Sequence, residues 1–138
     1  MISTMELAKK IEHFFASAAF GVAGASRRRD KFGNKVLRCY IANGLRAIPV
    51  HPAEQVIEGL DCVRSISALP AEVISLSIIT PPHITETLVR EALVRGIENI
   101  WMQPGAESQA AVDFCLENDI TPIYGGPCLL VELGFVSH

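Results

Sequence analysis

One stretch of the chain, residues 20–36, concentrates small and basic side chains that could bind phosphate: FGVAGASRRRDKFGNKV. From Arg27 to Arg38, six basic residues accompany a single acid, Asp30, which gives this window a net charge of +5. Because the whole 138-residue chain carries −3, the remaining residues carry −8. A mildly acidic chain with one basic loop favours a small anionic ligand, whereas nucleic acid is usually bound by a broad basic face.

The stretch only partly matches the Gly-x-Gly-x-x-Gly fingerprint of dinucleotide-binding folds. Gly24 can serve as the tight-turn glycine, but Ser26 and Arg29 stand where the second and third glycines belong. Gly33 is displaced toward the following helix, so the loop is several residues longer. NAD-binding folds also place an acid at the end of the second strand. This chain has VHPAE there, and its first acid is Glu54, the last residue of that segment. A Walker A sequence, with its Gly-Lys-Ser/Thr, is absent as well.

The same loop contains groups that could hold a phosphate by other means. The amides of residues 25–27 could form an anion-binding nest beside the Ser26 hydroxyl, next to the N-terminus of the helix that follows. Arginine guanidinium groups match phosphate oxygens, and Lys35 adds a mobile point charge. Several cations together suit a ligand with more than one phosphate group. The alternative is an exposed basic loop that binds no ligand.

Apolar runs and helical patterns alternate along the chain, and they predict the elements that position this loop. Five short apolar runs are predicted strands: AFGVAGAS, RAIPVHP, VISLSIIT, NIWMQP and TPIYGG. Between them, residues spaced as on one face of a helix predict helices. This alternation predicts an α/β fold: a Rossmann-like, doubly wound, mostly parallel five-stranded sheet with helices on both faces, in one domain over residues 1–138. We expect the strand order 3-2-1-4-5.

The predicted strands end in small, prolyl or polar residues: GAS, HP, TPP, QPGA and GGPC, in chain order. In open parallel sheets, ligands bind beyond the carboxyl ends of the strands, near the point where the strand order reverses. These strand ends therefore predict one ligand site along this edge of the sheet.

Composition narrows the class of protein further. Hydrophobic residues make up 49% of the chain, which is typical of strands buried on both faces. No segment approaches the ~20 uninterrupted apolar residues of a membrane span, and the charged N-terminal segment does not resemble a signal peptide. Cys39, Cys62, Cys115 and Cys128 form no CxxC pair or zinc-like cluster. We therefore expect reduced thiols in a cytoplasmic protein without a metal site.

These segments together resemble one family. From about Ala19 to Val131, the chain has GVAGAS, KFGNKV, AIPVHP, EGLDCVRSISALP, SIITPPHITETLVREALVRGIENIWMQPGAES and GGPC in the order of the CoA-binding domain. That domain stands at the N-terminus of succinyl-CoA synthetase alpha subunits, and also as small separate proteins of bacteria and archaea. The phosphorylated histidine of the synthetases lies in a second domain. The resemblance therefore implies that the chain binds coenzyme A, but it does not imply catalysis.

The resemblance also implies how coenzyme A would lie. Its phosphates would be bound after the first strand, at Gly24, Ala25, Ser26, Arg27, Arg28 and Lys35. Its adenosine would contact the ends of the second and third strands, at Val50, His51, Pro52, Thr80, Pro81 and Pro82. Its pantetheine arm would run along Gln103, Pro104 and Gly105 and bring the thiol near Cys128. Two family features are absent: a lysine after the second strand, and an asparagine between Pro127 and Cys128.

Our hypothesis from the sequence is a protein that binds coenzyme A or an acyl-CoA and catalyses no reaction itself. One alternative is an NAD(P)-binding or acyl-CoA-processing enzyme, for which His51, His83 and Cys128 are the available bases or nucleophiles. Another is a regulatory module that senses acyl-CoA for an unknown protein partner. Cys128 could also form a mixed disulfide with coenzyme A. The apolar composition allows a homodimer, and we expect neither a nucleic acid nor a membrane as partner.

Overall fold

The computed structural model describes residues 4–134. Its helices are α1 (Thr4–Phe15), α2 (Phe32–Ala42), α3 (Pro82–Arg95), α4 (Gln109–Glu117) and α5 (Leu129–Leu133). Its strands are β1 (Phe20–Ala23), β2 (Ala47–Val50), β3 (Val56–Ile57), β4 (Leu60–Asp61), β5 (Ser75–Ile78), β6 (Asn99–Met102) and β7 (Thr121–Ile123). Five of these strands pair in parallel in a single sheet, so the predicted α/β, doubly wound architecture is confirmed.

Helices cover both faces of this sheet, as the sequence predicts. One face packs against α1, α2 and α5, with Phe14 and Val36 in its core. The other face packs against α3, α4 and a short 3-10 turn, with Val89 and Cys115 in its core. The strands are buried on both sides, which explains why most of their residues are apolar. Ser75 and Ser77 of β5 are buried as well, and their hydroxyls share hydrogen bonds with Ser17 and Tyr40.

The order of strands across the sheet is β2-β1-β5-β6-β7, so the predicted order is wrong. The third long strand, β5, pairs with β1 and not with the outer edge of β2. That edge is covered by the chain at Val63, whose amide donates to the Pro49 carbonyl (3.0 Å) and whose carbonyl accepts from the His51 amide (2.9 Å). The Pro49 carbonyl and the His51 amide, which a further strand at this edge would need, are therefore already paired. The strand order therefore reverses between β1 and β5.

The segment that covers β2 also contains a hairpin that the apolar pattern did not predict. Strands β3 and β4 pair antiparallel around Glu58 and Gly59, which have φ values of +50° and +78°. Two consecutive positive φ values are typical of a tight hairpin turn, but Glu-Gly is a weaker sequence signal than Asn-Gly or Asp-Gly. The hairpin brings the carboxylate of Glu58 to the basic loop that joins β1 to α2, where it pairs with Arg29.

Candidate functional site

The chain turns sharply at Gly24, directly after β1, where the strand order reverses. Gly24 has a φ of +98°, and a Cβ at this position would lie 2.0 Å from the carbonyl oxygen of Ile79. Only glycine allows the turn to pass so close to the end of β5. The turn therefore presents backbone groups, rather than a side chain, at the carboxyl edge of the sheet.

The first turn of α2 packs directly on the Gly24 turn. A Cβ on Gly33 would lie 1.9 Å from the Gly24 carbonyl oxygen, so the helix can approach only because residue 33 has no side chain. In dinucleotide-binding folds, the third glycine of the fingerprint allows this close packing of helix on strand. Gly33 therefore has that structural function here, from a later position and after a longer loop.

Two side chains of α2 hold the basic loop in place. The buried Asn34 donates from Nδ2 to the Ser26 carbonyl (2.8 Å) and accepts at Oδ1 from Arg38 Nε (2.7 Å). Arg38 also donates from Nη2 to the Arg29 carbonyl (3.0 Å). Within the loop, the Arg28 amide donates to the Ser26 hydroxyl (3.1 Å). These bonds give the loop a defined conformation against the helix.

The three consecutive arginines of the loop are paired with carboxylates. Each pair has a nitrogen–oxygen distance of 3.2–3.7 Å: Arg27 with Glu54, Arg28 with Asp30, and Arg29 with Glu58. The guanidinium groups are mostly exposed to solvent, and exposed pairs of this kind are weak. Glu54 and Glu58, which follow β2 in the chain, therefore offset part of the positive charge that the sequence concentrates in this loop, whereas Asp30 belongs to the loop itself.

The N-terminus of α2 lacks the groups that usually stabilise a helix start. Its N-cap residue is Lys31, whose side chain makes no capping hydrogen bond, and its first turn has no acid. Lys35 adds a second positive charge close to the positive end of the helix dipole. Within residues 4–134, neither of these ammonium groups has an ion pair. Such a helix end is suited to an anion, which would bind the amides that have no intrahelical acceptor.

Two clefts flank the Gly24 turn at the carboxyl edge of the sheet. The first, of about 440 Å³, lies toward the loop after β6 and is called here the β6-side cleft. The second, of about 380 Å³, lies toward the end of β2 and is called the β2-side cleft. Gly24 and Thr80 line both clefts, so the clefts meet where the strand order reverses.

Most of the residues proposed from the sequence line one of these clefts. The β2-side cleft contains Ala25, Val50, His51 and Pro52 as well as the shared Gly24 and Thr80. The β6-side cleft contains Ser26, Pro81, Pro104 and Gly105 as well as the same two residues. The proposed residues that line neither cleft are Arg27, Arg28, Lys35, Pro82, Gln103 and Cys128.

Several other residues that line the clefts were not predicted from the sequence. In the β6-side cleft these include Lys31, Phe32 and Gly33, which belong to the basic stretch but were not assigned a contact. In the β2-side cleft they include Arg64, Ser65 and Glu91, which lie outside the strand ends. No local pattern marks Arg64 or Ser65, because the segment after β4 reaches the cleft only through its pairing with β2.

The side chain of Gln103 is buried and binds another part of the chain. Its Oε1 accepts from the amide of Leu129, the first residue of α5 (3.0 Å). Its carbonyl accepts from the Ala106 amide (2.9 Å), which closes the turn after β6. Gln103 therefore connects the end of β6 to the last helix that the structure describes.

The imidazole of His51 is held by the main chain that follows it. Its Nδ1 accepts from the amides of Ala53 (3.0 Å) and Glu54 (2.9 Å). Because Nδ1 is an acceptor in both bonds, the proton of the neutral ring lies on Nε2. His51 thus offers a hydrogen-bond donor at Nε2 rather than a base. His83 is exposed in the first turn of α3 and lines neither cleft.

The four thiols lie outside both clefts. Burial, and next the nearby Cys128, raise the pKa of Cys39 to about 11, and burial raises the pKa of Cys115 to about 12. Burial and neighbouring acids also raise the pKa of Cys62. These three groups are therefore protonated at neutral pH and are poor nucleophiles. Cys128 is the half-buried N-cap residue of α5.

The polar groups that line the two clefts are backbone amides, hydroxyls, one imidazole and a few charged side chains, and the other lining residues are apolar or glycine. Within residues 4–134, no group of three or more histidine, cysteine, aspartate or glutamate side chains is placed to hold a metal ion. In the same part of the chain, no helix has both the length and the apolar character that crossing a membrane requires.

Comparisons with known proteins point to one family. The sequence model of the CoA binding domain matches residues 18–134. A conserved hypothetical protein from Pyrococcus furiosus is 34% identical, with a TM-score of 0.77 over 84% of this chain and 97% of that chain. A Thermus thermophilus protein is 23% identical, with a TM-score of 0.82 over 91% of this chain and 95% of that chain. No curated protein matches the chain.

The same fold also occurs as one part of a larger enzyme. An acetyl-coenzyme A synthetase of Candidatus Korarchaeum cryptofilum, solved with phosphate and ADP, is 21% identical, with a TM-score of 0.73. The match covers 84% of this chain but only 27% of the synthetase. At this level of identity the match shows that the fold is shared.

Proposed function

The chain belongs to the CoA-binding domain family, and on this premise we propose that it binds coenzyme A or an acyl-CoA across the two clefts and catalyses no reaction on it. The observation that carries the proposal is the meeting of the clefts at Gly24 and Thr80, beside the uncapped N-terminus of α2. Coenzyme A has a diphosphate between two different arms. It therefore needs an anion site at its centre and a cleft on each side.

The diphosphate would be bound where the Gly24 turn meets α2. The amides of Phe32 and Gly33 are in the first turn of the helix and have no intrahelical acceptor. Lys31 and the Ser26 hydroxyl line the same place. A Cβ at residue 24 or 33 would collide with backbone, so the two glycines are what allow the turn and the helix to form this cradle.

The nucleoside would lie in the β2-side cleft and the pantetheine arm in the β6-side cleft. The walls of the β2-side cleft include Val50, Ile66, Ile84 and Leu88, and apolar walls suit the faces of a purine. The β6-side cleft leads from the Gly24 turn past the Pro104-Gly105 turn, which suits a narrow, extended arm. Cys128 lies outside this cleft, which argues against a mixed disulfide with the ligand thiol.

The side chains around the clefts support binding rather than catalysis. His51 has its Nδ1 engaged by two amides and offers only a donor at Nε2. His83 and Cys128, the other groups with the necessary chemistry, line neither cleft. An NAD site is disfavoured too, because the first acid after β2 is Glu54, which is paired with Arg27 and does not line the β2-side cleft.

Calorimetric titration with coenzyme A, acetyl-CoA, NAD and ATP tests the proposed ligand. We expect saturable binding of one coenzyme A or acetyl-CoA per chain, and binding of NAD that is weaker by about tenfold or more. Binding of NAD without binding of coenzyme A would refute the proposal. The non-catalytic part is tested by incubating the protein with acetyl-CoA and following free thiol. We expect no release above the protein-free rate, and a faster release would mean that the chain is an enzyme.

Replacing Glu54 by glutamine is expected to strengthen binding of coenzyme A, because Arg27 loses a carboxylate that competes with the ligand phosphates. Exposed ion pairs contribute about 0–1 kcal/mol, so the gain in affinity should not exceed about fivefold and should diminish at high salt. The matched control is Glu72→Gln, which breaks the exposed Arg46–Glu72 pair away from the clefts. If both variants bind coenzyme A as the unchanged protein does, Arg27 takes no part in phosphate binding.

A further inference from the structure

Arg64 reaches the β2-side cleft through the pairing of its segment with β2. The neighbouring Val63 forms a parallel β-bridge with Val50, and the Val63 carbonyl accepts a hydrogen bond from the His51 amide (2.9 Å). This register places residue 64 beside the end of β2, where its guanidinium donates from Nη1 to the Pro52 carbonyl (3.2 Å). Arg64 is exposed and lines the cleft. It therefore stands at the mouth of the cleft that suits the nucleoside.

Among the described residues, Arg64 differs from the three arginines of the basic loop in having no carboxylate partner. Arg27, Arg28 and Arg29 each have an acid within ion-pair distance and lie outside both clefts. Within residues 4–134, Arg64 forms no ion pair, and the Pro52 carbonyl uses only one of its several N–H donors. The remaining donors keep the planar geometry that binds phosphate oxygens in pairs.

Two further donors stand next to Arg64 on the same wall. The Ser65 hydroxyl lines the cleft and shares a hydrogen bond of 2.8 Å with Ser67. His51 lines the cleft as well. Its proton lies on Nε2, because Nδ1 accepts hydrogen bonds from two backbone amides. One carboxylate, Glu91, also lines the cleft, but it belongs to α3 with the apolar Leu88 and forms no ion pair with Arg64 within the described chain. The donors are therefore gathered on the β2 wall.

We propose that Arg64, together with Ser65 and His51, binds a phosphomonoester on the ribose of the bound nucleotide, which in coenzyme A is the 3′-phosphate. The proposal rests on the proposed function. With the diphosphate at the Gly24 turn and the base between the apolar walls, the ribose lies between them and its phosphate points to the mouth of the cleft. Recognition of this group thus belongs to Arg64 and not to Arg27, Arg28 and Lys35.

The test compares coenzyme A with dephospho-coenzyme A, which lacks only the 3′-phosphate, by calorimetry on the full chain. The unchanged protein should prefer coenzyme A by about tenfold or more, as expected for charge-assisted hydrogen bonds. Arg64→Met keeps the apolar stem and should lose this preference, while its affinity for dephospho-coenzyme A stays within about twofold. Arg64→Lys, which keeps the charge but not the planar fork, should retain part of the preference.

Two controls locate the effect. Arg46→Met removes an exposed, ion-paired arginine just before β2 and should leave the preference intact. The combined variant Arg27→Ala, Arg28→Ala and Lys35→Ala should weaken both ligands equally. The assignment is wrong if Arg64→Met keeps the full preference for coenzyme A, or if it weakens binding of both ligands equally. It is also wrong if the combined variant weakens binding of coenzyme A more than binding of dephospho-coenzyme A. If the unchanged protein binds neither ligand, the proposed function itself fails, and the assignment of Arg64 fails with it.

Discussion

Replacing Gly33 by alanine is expected to lower the free energy of unfolding by about 1–3 kcal/mol and to weaken coenzyme A binding by more than tenfold. Glycine to alanine within a helix normally stabilises a protein by up to about 1 kcal/mol. Here the sign reverses, because the new Cβ would lie 1.9 Å from the Gly24 carbonyl oxygen, which is backbone and cannot rotate away. The helix must then move off the turn, and the proposed diphosphate site opens.

Urea denaturation and calorimetry on the Gly33→Ala variant measure the two effects. Gly44→Ala is the matched control, since Gly44 has a φ of +69° but nothing within 4 Å of a Cβ. The control should lose about 1–2 kcal/mol from backbone strain alone and bind coenzyme A with unchanged affinity. An increase in stability for Gly33→Ala, as in an ordinary helix, would show that α2 does not pack this closely on the Gly24 turn.

Replacing Lys31 by aspartate is expected to change stability and binding in opposite directions. Lys31 occupies the N-cap position with extended backbone (φ −83°, ψ 145°) but without a capping bond. An aspartate there could accept hydrogen bonds from the first-turn amides, and its negative charge would interact favourably with the positive end of the helix dipole. Both effects should stabilise the ligand-free protein, together by about 1 kcal/mol. The same carboxylate would repel the phosphates and occupy their amide donors. Coenzyme A binding should therefore fall by about tenfold or more.

The thermal midpoint without ligand and the calorimetric affinity are the two measurements for Lys31→Asp. Lys31→Gln serves as the control, because it removes the charge without supplying a strong cap, and it should weaken binding less while leaving stability nearly unchanged. A Lys31→Asp protein that is more stable and still binds coenzyme A as tightly would place the diphosphate elsewhere. A Lys31→Asp protein that is less stable than the unchanged protein would contradict the absence of a capping hydrogen bond at the N-terminus of α2.

Local chemistry explains why much of the fold could be predicted. The strands are buried on both faces, so their apolar runs are visible without knowledge of the fold, and Gly44 and Gly96 end α2 and α3 as positive-φ residues. The short elements were harder to predict. The Glu-Gly sequence at the turn of the β3–β4 hairpin is a weak hairpin signal, and α5 has only five residues. In such short elements the local signal is weaker than the tertiary contacts that form them.

The sequence by itself determined the fold class, the small and prolyl strand ends, and the family whose ordered segments the chain resembles. Only the tertiary structure decided the strand order, because covering of the β2 edge at Val63 depends on pairing between distant segments. The same part of the chain brings Arg64 to a cleft and places Glu54 and Glu58 beside arginines of the basic loop. Residue type and spacing report which groups are present and which helix or strand holds them. Which groups face each other depends on contacts between residues far apart in the chain.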